Sequence, residues 1–247
     1  MDKWIAGKVT EVKHWTDKLY SLKLNAPVAP FLAGQFTRLA LDIDGERIAR
    51  PYSYVNTPHE QELEFYFNRV QKGTLSSKLS LLKTGEQVWV YAKAGGRLTL
   101  AEVPVSKHLW MLSTGTAIGP FLSMLKTDEP WQNFQRIILV QGMRSSEDLT
   151  YQETIQQFCS QYPEKFTVVY SYTREGNDVG ITGRIPNAIK TGQLEALVGI
   201  NLNVKLSQIM VCGNAGMIKD TQDVLNQRGF RKNSRKNPGH ITVENYG

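Results

Sequence analysis

The chain keeps two different rhythms, and the change between them limits the possible folds more than any single motif. Up to about residue 92 the sequence runs in short pieces, WIAGKVTEV, YSLKLNA, GQFTRLALDI, ERIARPYSYVN, ELEFYFNRV and QVWVYA. Each alternates polar with apolar residues or concentrates β-branched and aromatic ones, the pattern of strands. Asp44-Gly45 falls between two of these pieces and suits a tight hairpin turn, whose two central residues take positive φ. GTLSSKLSLLK at 73–83 interrupts the series, with leucines at 75, 79 and 82 on one helical face. Several short antiparallel strands with one small helix predict a β-barrel or sandwich.

From about residue 108 the rhythm changes. HLWMLST, RIILVQGM, FTVVYSYT and QIMVCG read as strands, separated by helical GTAIGPFLSML, LTYQETIQQFCSQY, RIPNAIKTG and AGMIKDTQDVLNQRG. Strands alternating with helices predict a parallel sheet with crossovers. The seam lies in AGGRLTLAEVPVSK, 94–107, where glycines and a proline break both patterns. The expectation is therefore two domains: an antiparallel β-barrel over 1–100, then an α/β parallel-sheet domain of the nucleotide-binding type over 101–247.

Composition narrows the class further. Of 247 residues, 41% are hydrophobic and 21% charged, which suits a protein with a real core. Apolar runs such as IILV at 137–140 are strand-sized, far below the roughly 20 residues of a membrane span. The beginning MDKWIAGKV lacks the apolar stretch of a signal peptide, and two cysteines, Cys159 and Cys212, make no metal or disulfide spacing. These features point to a cytoplasmic protein with no membrane partner. The net charge of +6 favours an acidic partner, and no nucleic-acid-binding pattern accompanies it. The densest basic stretch, RGFRKNSRKNPGH at 228–240, reads as a mobile, solvated loop.

Candidate chemistry gathers at the predicted strand exits. Gly115 and Gly119 in GTAIGP permit a tight turn, and Pro120 suits the first turn of a helix whose free N–H groups can receive phosphate. Arg144 and Arg174 each follow a predicted parallel strand, and Arg184 opens the next element in TGRIP. One such arginine is commonly a surface ion-pair partner, but three at successive exits of an α/β sheet converge on an anion. A 2′-phosphate fits, because guanidinium forks match phosphate oxygens. Two such contacts at ~1.5–3 kcal/mol each set an upper bound of about two to four decades of preference for NADP over NAD. Cys212 in VCGNAGM ends another predicted strand. In the first half, RPYSYVN at 50–56 offers an arginine, an aromatic ring and a hydroxyl in sequence. A flavin would use all three, with Tyr52 stacking on its ring, Ser53 near its reactive nitrogen and Arg50 on a pyrophosphate. Ser76 and the N–H groups that open the GTLSS helix suit that same pyrophosphate.

RPYS at 50–53, GTLS at 73–76, STGTAIGP at 113–120, CGNAGM at 212–217 and VENY at 243–246 together resemble the ferredoxin–NADP⁺ reductase family, in its short single-chain bacterial form. The resemblance spans nearly the whole chain. It implies an FAD-binding barrel followed by an NADP-binding parallel sheet, with a C-terminal tail that returns to the flavin. FAD would be held by Arg50, Pro51, Tyr52 and Ser53, by Tyr66, Phe67, Asn68 and Arg69, and by Thr74, Leu75 and Ser76, with Thr116 approaching the cofactor. NADP would be held by Arg144, Ser145, Thr173, Arg174 and Arg184, with Asn214 and Asp220 lining its approach. Ser53, Cys212, Glu244 and Tyr246 would form the catalytic set, Tyr246 covering the flavin face that the nicotinamide must reach. Gly247 stands where close bacterial relatives often end in tryptophan, a departure at the adenine end of FAD. The resemblance further implies a monomer, no metal, and an acidic ferredoxin or flavodoxin as electron partner. Flavin reductases on the same chassis, and a non-catalytic nucleotide-binding module, are the rival readings. The lack of a CxxxxCxxC segment argues against a fused oxygenase reductase.

Overall fold

The computed structural model describes residues 3–71 and 74–246. It divides into two compact units, residues 1–99 with 119–127, and residues 100–118 with 128–247.

The first unit is built on strands β1 (Trp4–His14), β2 (Leu19–Asn25), β3 (Phe36–Ile43), β4 (Glu46–Ser53), β5 (Glu62–Asn68) and β6 (Gln87–Tyr91). They form one antiparallel sheet in the order β4-β3-β6-β1-β2-β5. Beyond Ser53 the chain bends onto the opposite edge. Tyr54 bridges Phe65, and the Val55 N–H donates to the Glu64 carbonyl at 2.9 Å, so the sheet curls shut into a barrel. Inside lie Leu22, Leu24, Leu39, Tyr54, Phe65, Val88 and Val90, all fully buried. The β3–β4 hairpin turns at Asp44 (φ 51°) and Gly45 (φ 82°), which places Ile43 opposite Glu46 as the Asp-Gly pair predicts. Pro51 sits within β4, where the strand hydrogen-bonds to β3 on one side only and a missing N–H is tolerated. The helix read over 73–83 is shorter, α1 (Thr74–Leu79). A second helix, α2 (Gly119–Leu125), also belongs to this unit. Its Ser123 hydroxyl donates to the Asn56 carbonyl at 2.7 Å, and Lys126 just beyond it pairs with Glu64 at 3.5 Å.

The second unit carries β7 (His108–Thr114), β8 (Arg136–Met143), β9 (Phe166–Tyr172), β10 (Ile181–Thr182), β11 (Ser207–Gly213) and β12 (Ile241–Asn245). All pairs are parallel, in the order β10-β9-β8-β7-β11-β12. The order reverses between β7 and β11, the switch point where open α/β sheets take their ligands. Helices α3 (Glu129–Asn133), α4 (Gln152–Gln161), α5 (Ile185–Thr191), α6 (Gln193–Val198) and α7 (Ala215–Gln227) connect the strands. Central strands buried on both faces read as continuous apolar runs, as HLWMLST and RIILVQGM do. Trp110, Leu112, Ile138, Val140, Ile209 and Val211 pack with Ile185, Ile189, Leu194 and Leu225 of α5–α7. Trp131, Phe158 and Phe166 form a separate aromatic cluster, with ring centroids 5.6 to 6.1 Å apart.

The basic stretch 228–240 corrects the expectation of a solvated loop. Arg228 makes two bonds to Glu195, at 2.7 and 2.8 Å, and Phe230 is buried. Farther along, Arg235 reaches Glu102 at 2.8 Å, and the Asn233 amide donates to the Glu102 carbonyl at 2.6 Å. Among the described residues, no helix is long and apolar enough to cross a membrane, and no cluster of His, Cys, Asp or Glu could hold a metal ion.

Candidate functional site

In the first unit, barrel closure brings the end of β4 to the end of β5. Arg50 and Pro51 remain exposed, while Tyr52 and Ser53 are buried as the strand turns inward. The Tyr52 ring meets Phe67 edge-on, at 5.8 Å and 82°. Burial pushes the Tyr52 phenol up to about 12, so it stays protonated at any physiological pH. Tyr66 and Phe67 are buried, whereas Asn68 and Arg69 are exposed beyond them. Arg69 is held by its backbone, whose N–H donates to the Lys18 carbonyl at 2.7 Å, and its guanidinium donates a long bond to the Tyr20 hydroxyl at 3.5 Å. The helix α1 opens at exposed Thr74, anchors itself through buried Leu75, and uses the Ser76 hydroxyl to accept the Val70 N–H at 3.1 Å. Arg50 bonds to the neighbouring Ala49 carbonyl at 2.7 Å. A planar ring with a hydroxyl beside it, flanked by two exposed arginines, is a donor set that suits an isoalloxazine and a pyrophosphate.

In the second unit, the switch point is defined by the exits of the paired strands β7 and β11. A Cβ on Gly213 would lie 2.5 Å from the Thr114 hydroxyl, so any larger residue there would have to push the Thr114 side chain aside. Gly115 follows Thr114 with φ +55°, and the chain passes through half-buried Thr116 in a short 3₁₀ turn. On the β11 side Asn214 caps α7, its side-chain oxygen accepting the Met217 N–H at 2.9 Å. Cys212 stands abreast of Ser113 on β7 and Glu244 on β12. Burial above all, with the nearby Glu244 carboxylate, pushes the Cys212 thiol well above its usual range. It can shape a pocket or donate weakly, but it offers no thiolate. The tail is tied down by the Tyr246 N–H, which donates to the Gly213 carbonyl at 2.7 Å. Gly247 lies outside the described residues.

The arginines also come together. Arg144, Arg174 and Arg184 follow β8, β9 and β10, three neighbouring strands, and all three side chains are exposed. Their backbones are joined where the strands end: the Arg174 N–H donates to the Arg144 carbonyl at 2.9 Å, and the Gly183 N–H to the Tyr172 carbonyl at 2.7 Å. Thr173 gives its hydroxyl proton to the Met143 carbonyl at 3.2 Å, and Ser145 leads into a short turn whose Ser146 N–H donates to Glu175 at 2.7 Å. Arg184 lies 3.9 Å from Asp220.

Sequence reasoning missed a polar row across the sheet. Tyr170, Gln141, Ser113, Cys212 and Glu244 stand side by side on five neighbouring strands. The signal for it was a glutamine and a serine inside strands that are otherwise apolar.

With this geometry in place, comparison with known proteins becomes specific. Residues 7–96 match the model of the oxidoreductase FAD-binding domain, and residues 111–223 that of the oxidoreductase NAD-binding domain. Flavodoxin/ferredoxin–NADP reductase of Escherichia coli (strain K12) is 46% identical over 247 residues, covering 100% of both chains. The chain belongs to the flavodoxin/ferredoxin–NADP reductase family. A ferredoxin–NADP reductase of Azotobacter vinelandii in the same family is 32% identical, covering 96% of this chain and 95% of its own. Among solved structures, a ferredoxin NADP⁺ reductase from Neisseria gonorrhoeae with bound FAD and NADP superposes with a TM-score of 0.94 at 31% identity, covering 99% of each chain.

Proposed function

We propose that this reductase passes hydride between NADP(H) and FAD, and single electrons between the flavin and a ferredoxin or flavodoxin. The observation that carries the reading is the full-length 46% identity to the E. coli flavodoxin/ferredoxin–NADP reductase. Bound FAD supplies an acceptor that takes hydride as a pair of electrons and releases them one at a time. Everything else falls to the chain.

Tyr52 offers its ring to the flavin plane, and Ser53 a hydroxyl at its edge. Arg50 and Arg69 face the pyrophosphate, with Thr74 and Ser76 at the start of α1. Pro51 fixes the strand before Tyr52, and Tyr66, Phe67, Asn68 and Leu75 complete the wall. Arg144, Ser145, Thr173, Arg174 and Arg184 take the 2′-phosphate of NADP, Asn214 and Asp220 line its approach, and Thr116 approaches the FAD. Cys212 stays neutral and, with Glu244, sets the shape and charge where hydride moves. Tyr246 would cover the flavin face that the nicotinamide must reach, and Gly247 differs from the aromatic residue that the resemblance leads one to expect at the adenine end of FAD. The FAD portion extends over 1–100 and the NADP portion over 101–247, apart from residues 119–127, which group with the first. A cytoplasmic monomer with an acidic one-electron carrier completes the reading, the +6 charge drawing that carrier in.

The test is direct. Purified protein should be yellow, bleach on addition of NADPH, and reduce flavodoxin or ferredoxin catalytically. Turnover with free flavin but with neither carrier overturns the proposal.

A further inference from the structure

Of the three arginines at the sheet's carboxyl edge, Arg184 alone has a carboxylate within ion-pair distance among the described residues. Its guanidinium nitrogen lies 3.9 Å from an Asp220 oxygen, with the side chains 78% and 51% exposed. A pair this long and this wet contributes little to the fold. Asp220 is not placed there to start α7 either. Asn214 already caps that helix. Asp220 stands beyond its first turn, where the pull of the macrodipole on an acid has faded. The neighbouring Lys219 is engaged elsewhere, with Asp223 at 2.6 Å. The carboxylate therefore stands beside one arm of an anion site and serves no evident structural purpose.

Resting on the reading that these arginines hold the 2′-phosphate, we propose that Asp220 is a specificity-setting residue that restrains the enzyme's preference for NADP over NAD. Its carboxylate stands 3.9 Å from the Arg184 guanidinium that a phosphate would use, partly offsetting that charge, and once the phosphate is seated it repels it. An unphosphorylated ribose meets the opposite situation: its 2′-hydroxyl is a donor, and a nearby carboxylate accepts it. The two nucleotides thus feel Asp220 with opposite sign.

The experiment compares Asp220→Asn, Arg184→Ala and the double variant as FAD-loaded enzymes, with KM for NADPH and NADH measured against a small dye acceptor. In Asp220→Asn, KM for NADPH should fall by ~2- to 5-fold at low salt, the range expected of an exposed charge pair. The gain should shrink at about 0.5 M salt, and KM for NADH should rise. In the double variant the gain should vanish, because there is no guanidinium left to free. If Arg184→Ala raises KM for NADPH selectively while Asp220→Asn leaves it unchanged or raises it, the inference about Asp220 is overturned and the arginine site stands. If Arg184→Ala affects both nucleotides equally, the placement of the 2′-phosphate falls, and the role of Asp220 with it.

Discussion

Arg144 and Arg174 reach solvent from adjacent strand ends, their main chains joined by one 2.9 Å bond. Replacing both with alanine should raise KM for NADPH by about two decades or more, within the bound set by two charged contacts. KM for NADH should change little; equal effects on both nucleotides would place the phosphate elsewhere. Cys212 gives a prediction of the opposite kind, an absence of reactivity. Its thiol is fully buried and held protonated, so at pH 8 a thiol reagent should modify at most one of the two cysteines in the native protein. The second should react after denaturant is added; two equivalents from the folded state would contradict its burial. The place of the Arg-Pro-Tyr-Ser run in a strand was legible in the sequence, because strand pattern is local. The state of Cys212 was not legible, since it depends on neighbours from β7 and β12 that are far away in the chain.

Elements show the same division between local and distant causes. The Asp44-Gly45 turn and most strands were readable from pattern alone. The helix read over RIPNAIKTG is α5, which ends at Gly192 (φ 78°), but α6 directly beyond it was not foreseen. The fixing of residues 228–240 was hidden for a clearer reason: its partners are 33 residues back for Arg228 and 133 back for Arg235. The Arg228–Glu195 pair joins α6 to the end of α7, with Glu195 also accepting the Leu202 N–H at 2.7 Å. Burial pulls Glu195 upward, but the Arg228 bonds and that N–H outweigh it, and the carboxyl titrates below its usual value. The folded-state value being the lower one, this stabilisation is present above the unfolded carboxylate range and lost as pH falls below about 4. Arg228→Ala should cost about 2–3 kcal/mol at pH 7, after allowance for partial exposure. By calorimetry that is a fall in Tm of roughly 4–10 °C, and the gap to the parent protein should narrow in acid.

At the scale of the whole molecule, the two rhythms foretold a barrel and a parallel sheet, because hydrophobic periodicity is set by secondary structure before any packing. Pattern could not show which barrel strand would meet which, or that the curled sheet would be closed at Tyr54 and Phe65. It was equally silent on the company kept by residues 119–127, which sit between two strands of the parallel sheet in sequence yet group with the barrel. That grouping matters for anyone who would dissect the protein. A polypeptide stopped at residue 99 loses the Ser123 hydroxyl that donates to the Asn56 carbonyl and the Lys126 ammonium beside Glu64. Such a truncation should yield a barrel that melts early, binds hydrophobic dye and precipitates, whereas a stable, dye-silent product would show the borrowed helix to be dispensable. Heredity has interleaved these two halves, and scissors applied at the obvious seam would leave one of them incomplete.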